Sequence, residues 1–339
     1  MINVLVTGGA GFIGSNFVRW AHDTHTDWRI TTLDKLTYAG RLENLAPVMS
    51  SPRHEFVQGD IGDAAVSGAL VRASDVVVHF AAETHVDRSL QSAGEFIRTD
   101  VFGTFVLLEA AREAARLRRF VQISTDEVYG SVPEGKSRET DELRPRNPYS
   151  ASKAGADRLA YSYFATYQVP VIVTRASNNY GPNQFPEKVI PLFITNAIDN
   201  TPVPLYGDGL NVRDWLHVLD HCRAVDLLIE RGVPGETYNI GGGNEVTNID
   251  LTHQILTQVG RPTSLIQPVA DRQGHDRRYA LDTGKLEALG WRPEVPFDAG
   301  LAATVRWYRE NESWWRPIKE QDAAFRAYYA SQYGTRARA

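Results

Sequence analysis

Short apolar runs alternate with stretches of helical periodicity through the first half of the chain. "INVLV" at 2–6 reads as a strand, and Phe12–His22 repeats its apolar positions as a helix does. "RITTLD" at 29–34 is the next strand, and "HEFVQGD", "DVVVHFA", "RFVQIST" and "VPVIVTRAS" follow from positions 54, 75, 119 and 169. Between the later runs lie helical patterns such as "EFIRTDVFGTFVLLEAAREAAR" from Glu95. This alternation predicts parallel βαβ units, an α/β fold with a doubly wound parallel (Rossmann) sheet. After about residue 176 the rhythm breaks, and "NNYGPNQFPEKVIP" and "NTPVPLYGDG" are rich in Pro, Gly and Asn, as loops are. A smaller α+β domain is expected mainly over 177–330. The first domain covers 1–176, with parts of 205–240 returning to it. No repeat or low-complexity linker separates the two, so they are expected to interleave.

Length and composition narrow the function. The 339 residues suggest two domains at about 150 each. With 42% hydrophobic and 23% charged residues the composition is globular. A net charge of -5 offers no basic surface for nucleic acid, although a local patch for a phosphorylated small molecule stays open. The single cysteine, Cys222, excludes an intrachain disulfide and a thiolate zinc cluster, and no metal is expected. No apolar run approaches the roughly 20 residues that span a bilayer. The chain enters its first strand without a charged leader. A cytoplasmic protein with no membrane partner is the expectation. Cys222 and the Trp314–Trp315 pair read as packing, and the final "YGTRARA" as a solvated tail.

"VTGGAGFIGSNF" follows the first strand and opens the first helix. It contains Gly8, Gly9, Gly11 and Gly14, spaced for close backbone approach to a pyrophosphate at a helix N-terminus. Asp34 ends the second strand 20 residues past Gly14, where a carboxylate can accept from adenosine ribose hydroxyls. It would repel a 2′-phosphate, so NAD is favoured over NADP, a preference that nearby Lys35 and Arg41 weaken slightly.

"NPYSASKAGADRLAYSYF" starts a helix after Pro148 and puts Tyr149 and Lys153 one turn apart on one face. A tyrosine is a poor base near its ordinary pKa of about 10. A neighbouring ammonium is expected to lower that pKa and make the pair an acid/base for an alcohol beside a nicotinamide. "ISTDEVYG" adds Asp126 and Glu127, side by side where a strand runs out. Ligands of open α/β sheets bind beyond such carboxyl ends.

These motifs resemble the extended short-chain dehydrogenase/reductase superfamily. "STDEVYG", "AAETHVDRS", "NNYGPNQFPEKVIP", "VRDWLHVLDHCRA" and "DRQGHDRRYALD" resemble its dTDP-glucose 4,6-dehydratase branch, from Ile2 to about Trp315. The resemblance implies NAD-dependent oxidation of a sugar nucleotide, dTDP-glucose, at C4. Loss of water across C5–C6 follows, then return of the hydride to C6. Carried over, Tyr149 is the base at C4, Lys153 supports it, and Thr125 binds the C4 hydroxyl. Glu127 takes the C5 proton, and Asp126 donates to the C6 hydroxyl.

Elimination needs one carboxylate ionised and one protonated, which neighbouring acids with separated pKa values supply. Strand residues alternate faces, so the backbone must bend at Asp126 for both to reach one sugar.

The resemblance also implies that Phe12, Ile13, Lys35, Thr37, Asp60, Ile61, Ala81, Ala82, Thr99 and Asn179 line the cofactor. Thr84 and Asn178 would face the sugar. Lys188, Val189, Pro204, Leu205 and Tyr206 would hold the nucleotide half, with Arg213 on the diphosphate. Asn248, Asp271, Arg272 and His275 would complete that pocket. The family commonly has cysteine where this chain has Ala176. Homodimerisation is implied, through helices including the one from Tyr149.

A sugar-nucleotide 4-epimerase shares the fold and the Tyr/Lys pair but lacks the acids. GDP-mannose dehydratases share the chemistry with a differently composed motif. A catalytically inactive NAD-binding sensor would need none of Thr125, Asp126, Glu127, Tyr149 and Lys153.

Overall fold

The computed structural model describes residues 1–334. β1 (Ile2–Thr7) leads through the glycine loop into α1 (Phe12–Thr24), and β2 (Trp28–Asp34) and β3 (His54–Gln58) follow. α2 (Ala64–Ala73) connects to β4 (Val76–His79), and α3 (Val86–Gln91) and α4 (Ala93–Phe96) come next. A π-helical segment, Ile97–Gly103, runs into α5 (Thr104–Arg112), then β5 (Arg119–Thr125), α6 (Pro148–Tyr167) and β6 (Val171–Ala176). The strands form a seven-stranded sheet in the order β10-β6-β5-β4-β1-β2-β3, every pair parallel. The order reverses between β1 and β4, so the loops after Thr7 and His79 flank the switch point where ligands bind.

The second half builds two small sheets. β7 (Asn178–Tyr180), α7 (Val189–Ile198), β8 (Val203–Tyr206), β9 (Val212–His217) and α8 (Val218–Arg231) lead to β10 (Thr237–Ile240), which pairs with β6. β11 (Glu245–Thr247) pairs with β9, and β9 with β7. α9 (Asn248–Val259) precedes β12 (Ile266–Val269), which pairs with β8. α10 (Gly284–Glu287), α11 (Phe297–Glu310), α12 (Glu312–Gln321) and α13 (Ala323–Tyr329) finish the chain. One core packs α1 and α8 on the sheet, with Phe17, Val78 and Cys222 buried together. Another joins α7, α9 and α11 around Trp315. Among the described residues no helix is long and apolar enough to cross a membrane.

Two departures from the periodic pattern position the site. The helix expected from Glu95 is interrupted by its π-helical turns, which apolar spacing does not reveal. There Asp100 is buried, accepting from Ser152 Oγ at 2.6 Å and from the Glu83 N–H at 2.8 Å. The second is a 3₁₀ turn, Asp126–Tyr129, directly after β5, with the Thr125 hydroxyl accepting from the Glu127 N–H. This is the bend that the adjacent acids require. Behind it, buried Arg175 of β6 donates to Asp157 of α6 at 2.8 Å and to the Tyr129 hydroxyl at 2.7 Å, tying both elements to the turn. α6 starts on a capping box, with Asn147 Oδ1 accepting from Ser150 N–H at 2.8 Å and Pro148 at its first position.

Candidate active site

Two clefts of about 380 and 160 Å³ adjoin over the sheet's carboxyl end. The larger is lined by Gly8, Gly11, Phe12, Ile13 and Gly14 from the first loop and by Asp34, Lys35 and Thr37 after β2. Asp60, Ile61, Ala81, Ala82 and Thr99 complete this end. A dinucleotide fits the cradle. Gly8 has φ +69, and a Cβ on it would stand 2.5 Å from Ala81 N. A Cβ on Gly14 would overlap the Gly8 carbonyl oxygen. Gly11 meets nothing but that oxygen at 3.3 Å, which leaves its face open to a ligand. The Asp34 carboxylate accepts from the Ala10 and Leu36 N–H groups at 2.9 and 2.8 Å. It therefore fixes the glycine loop as well as facing the cleft. Lys35 is paired with Asp60 at 2.7 Å.

Thr125, Asp126, Glu127, Tyr149 and Lys153 line the same cleft. Asp126 is buried, with one oxygen accepting from Thr125 Oγ1 at 3.1 Å and the other without a protein partner. Burial, then the charges of Glu127 and Asp214, push its pKa well above the ordinary carboxylate value, toward the protonated state of an acid. Glu127 is only half-buried. The Tyr149 phenol corrects the expectation for that group. Its pKa is raised, not lowered, because burial and the charges of Glu127 and Asp100 outweigh the hydrogen bond shared with Thr125. The Lys153 Nζ donates to the Ile123 carbonyl at 2.6 Å. Burial lowers the Lys153 pKa, against the charges of Asp100 and Asp157.

Val189, Pro204, Leu205, Tyr206, Arg213, Asn248, Arg272 and His275 line the smaller cleft. Arg213 is stacked 4.4 Å from the Tyr279 ring and donates to the Asp276 carbonyl at 2.9 Å, which aims the guanidinium. Asp271 does not line either cleft; it holds His275 Nδ1 at 2.6 Å. Thr84, Glu127, Asn178, Glu187 and Lys188 line both clefts, so a ligand that spans them passes Glu127 at the junction, with Asp126 beside it in the larger cleft. Lys188 also donates to the Thr84 carbonyl at 2.6 Å, which gives it a structural task. Asn179 lies at the cofactor end, its Oδ1 3.0 Å from His221 Nδ1.

Some lining residues escaped sequence reading. Glu83 and Glu187 sit beside Thr84 and Lys188 in the same motifs, and that adjacency was the available signal. Phe185 and His221 lie within quoted motifs as well, but neither residue type points to a role there. Tyr333, read as part of a solvated tail, lines the nucleotide end beside Tyr206. Residues 335–339 of that tail lie outside the described residues.

A family described as GDP-mannose 4,6 dehydratase matches residues 5–304. A dTDP-glucose 4,6-dehydratase of Streptomyces antibioticus is 55% identical over 95% of this chain and 97% of its own. A crystal structure of dTDP-glucose 4,6-dehydratase from Streptomyces venezuelae, with NAD and TYD bound, superposes with TM-score 0.91. It is 53% identical and covers 94% of this chain and 100% of its own. A UDP-glucose 4-epimerase of Thermotoga maritima superposes with TM-score 0.85 at 29% identity, covering 92% of this chain and 100% of its own.

Proposed function

The chain belongs to the dTDP-glucose 4,6-dehydratase family, and from that premise we propose that it converts dTDP-glucose to dTDP-4-keto-6-deoxyglucose in deoxysugar biosynthesis. It is an NAD-dependent hydro-lyase. The glycine loop and Asp34 would hold NAD, which would supply a hydride acceptor for C4 and a hydride donor for C6. Tyr149 then accepts the C4 hydroxyl proton while Thr125 holds that hydroxyl. The resulting ketone acidifies C5–H, and Glu127 removes this proton. Asp126 gives its proton to the C6 hydroxyl, which leaves as water, and C5 takes a proton back from Glu127 when the hydride reaches C6. The observation that carries this reading is the acid pair on its 3₁₀ turn where the two clefts meet, with Asp126 biased toward protonation. An epimerase needs no such pair, and a sensor needs neither it nor Tyr149 and Lys153.

The nucleotide is read into the smaller cleft, with Arg213 and Arg272 on the diphosphate. We assign 1–176 to the NAD domain, with parts of 205–240 returning, and 177–330 mainly to the sugar nucleotide. The pairing of β10 with β6 supports interleaving. A homodimer is supported by Ile97, Phe102, Phe105, Tyr161 and Tyr167, large apolar side chains exposed on the π-helical segment, α5 and α6. The cytoplasm is the proposed compartment. The test is incubation of the purified protein with dTDP-glucose and with UDP-glucose. A 4-keto-6-deoxy sugar nucleotide from the first, without net consumption of NAD, is expected. A 4-epimer as sole product would overturn the reading.

A further inference from the structure

Arg88 lines neither cleft, yet four segments meet on it. Its guanidinium lies 4.0 Å from the ring of Tyr38 and 4.5 Å from that of Tyr328, so two aromatic faces sandwich the cation. Its Nε donates to Glu187 Oε2 at 3.0 Å, and the Tyr38 hydroxyl donates to Glu187 Oε1 at 2.7 Å. The Glu187 side chain is 1% exposed and lines both clefts. The unit thus joins the loop after β2, α3, the loop before α7, and α13. Phe185 backs it, packing edge-on against Tyr38 at 5.4 Å and Phe325 at 6.0 Å.

The loop carrying Tyr38 is the one that closes the adenosine end. Thr37, Ala39 and Gly40 line the cofactor cleft on either side of it. Leu36 holds a left-handed φ of 57, a conformation that a leucine keeps only where its surroundings impose it. Local hydrogen bonds run from the Leu36 N–H to Asp34 and from the Gly40 N–H to Thr37. Past them, Leu36 packs on the α1 core, Ala39 and Tyr38 pack on Phe185 and its cluster, and the polar tie to the rest of the molecule at Tyr38 is the Arg88–Glu187 unit. For the loop to swing off a bound dinucleotide, Tyr38 must leave an aromatic–cation stack and a buried carboxylate together.

We propose that Arg88 is a positioning residue that bolts the loop after β2 to the C-terminal helix α13, and so retains the dinucleotide through each turnover. The inference rests on the proposed function, in which the hydride taken from C4 must be returned within one site. A cofactor that left between the two transfers would strand the ketosugar. Arg88 acts only through Tyr38, Tyr328 and Glu187, and touches no reacting atom.

The test loads the full-length protein with labelled NAD, chases with unlabelled NAD, and follows the label kept after rapid desalting. The wild-type label should outlast many turnovers. Arg88→Met should speed its loss by about tenfold or more, with Arg88→Lys between the two, since lysine keeps charge but not the stacked fork. Excess NAD should return dehydration by Arg88→Met to near the wild-type rate. Label loss from folded Arg88→Met at the wild-type rate, or no recovery with NAD, would overturn the proposal. Should circular dichroism show Arg88→Met unfolded, Tyr328→Phe, which loses the hydroxyl contacts to His85 and Asp87 but keeps the ring, is set beside Tyr328→Leu, which loses both, and the difference between them is read in the same way. An unchanged rate there also overturns it. Wild-type protein that dehydrates dTDP-glucose but loses its label within a turnover overturns retention and leaves the function standing. Protein that forms no dehydrated product overturns the function itself.

Discussion

The cofactor end and the nucleotide end of the cleft are built in opposite ways. The first is centred on a backbone cradle from one contiguous unit, the β1–α1 loop closed by Asp34 at the end of β2, with Asp60, Ile61, Ala81, Ala82 and Thr99 completing its walls. The second is mostly side chains, brought from Val189, the β8 and β9 strands, Asn248, the Arg272–His275 loop and Tyr333. A backbone cradle has no spare room, because its fit is set by atoms that no rotamer can move. A wall of side chains can lose one member and keep the others. Substitutions at the first end should therefore fail completely, and those at the second by degrees.

Gly14→Ala is the most damaging test of that contrast. The new methyl would overlap the Gly8 carbonyl oxygen and the Gly9 backbone, so the loop must open. Overpacking of this kind costs about 1–3 kcal/mol of stability. The larger effect is on function: the purified variant should carry no NAD and show no dehydration. NAD released by denaturation, counted per chain, checks this. A variant with full NAD content would show that the cradle is less rigid than its geometry implies.

The junction between the two ends should give the next largest effects. Glu127→Gln keeps the shape but not the base, and C5 hydrogen exchange in heavy water should drop by about 10²–10⁴-fold with nucleotide binding intact. Asp126→Asn should still exchange C5 hydrogen but expel water slowly. Its defect should shrink on a substrate with fluoride at C6, which departs without a proton. An equal defect on both substrates would remove Asp126 as the donor. The pH dependence has a definite sign. The folded pKa of Asp126 is raised, so its proton is present at low pH and is lost as pH rises through that pKa. Water expulsion should fall on the alkaline side, and that fall should vanish in Asp126→Asn.

The same contrast decides what could be read from the chain alone. The cofactor end was legible because strand, glycine spacing, helix and Asp34 lie within 34 consecutive residues. The bend at Asp126 was legible because strand alternation forbids two adjacent acids from facing one ligand. Tyr333 was not, since nothing in "SQYG" indicates that α12 and α13 carry it back to Tyr206. The rise in the Tyr149 pKa was missed for a related reason. Helical spacing places Lys153 beside it, but Asp100 arrives from a π-helical segment 49 positions earlier in the chain. Long-range packing, not local pattern, sets that sum of charges.

At the nucleotide end, Arg213→Lys keeps the charge and loses the planar fork stacked on Tyr279. One charge-assisted hydrogen bond lost at about 1.5–3 kcal/mol predicts a KM roughly ten- to a hundredfold higher. The kcat and the bound NAD should stay near wild type, as steady-state kinetics and NAD content would report. A collapse of kcat instead would place Arg213 among the groups that act on the reacting sugar.

Asp271→Asn should have the smallest effect, and it probes how indirect a nucleotide-end residue can be. The His275 pKa is pushed down to about 4 by burial and by the charges of Arg272 and Arg213, against the pull of Asp271. The ring is therefore neutral at pH 7. With a carboxylate 2.6 Å from Nδ1, the ring proton sits on Nδ1, and Nε2 is left as an acceptor. Asp271 lines neither cleft, so its part is to hold that tautomer and orientation. An asparagine oxygen can still accept from Nδ1, but the bond is no longer charge-assisted. A loss of about 1 kcal/mol, roughly fivefold in KM, is expected, with kcat and NAD content unchanged. Neutral at pH 7 with or without the Asp271 charge, His275 should add no new pH dependence to KM near neutrality. A KM rise as large as that of Arg213→Lys would mean that Asp271 contacts the nucleotide directly, and that this end too depends on single groups.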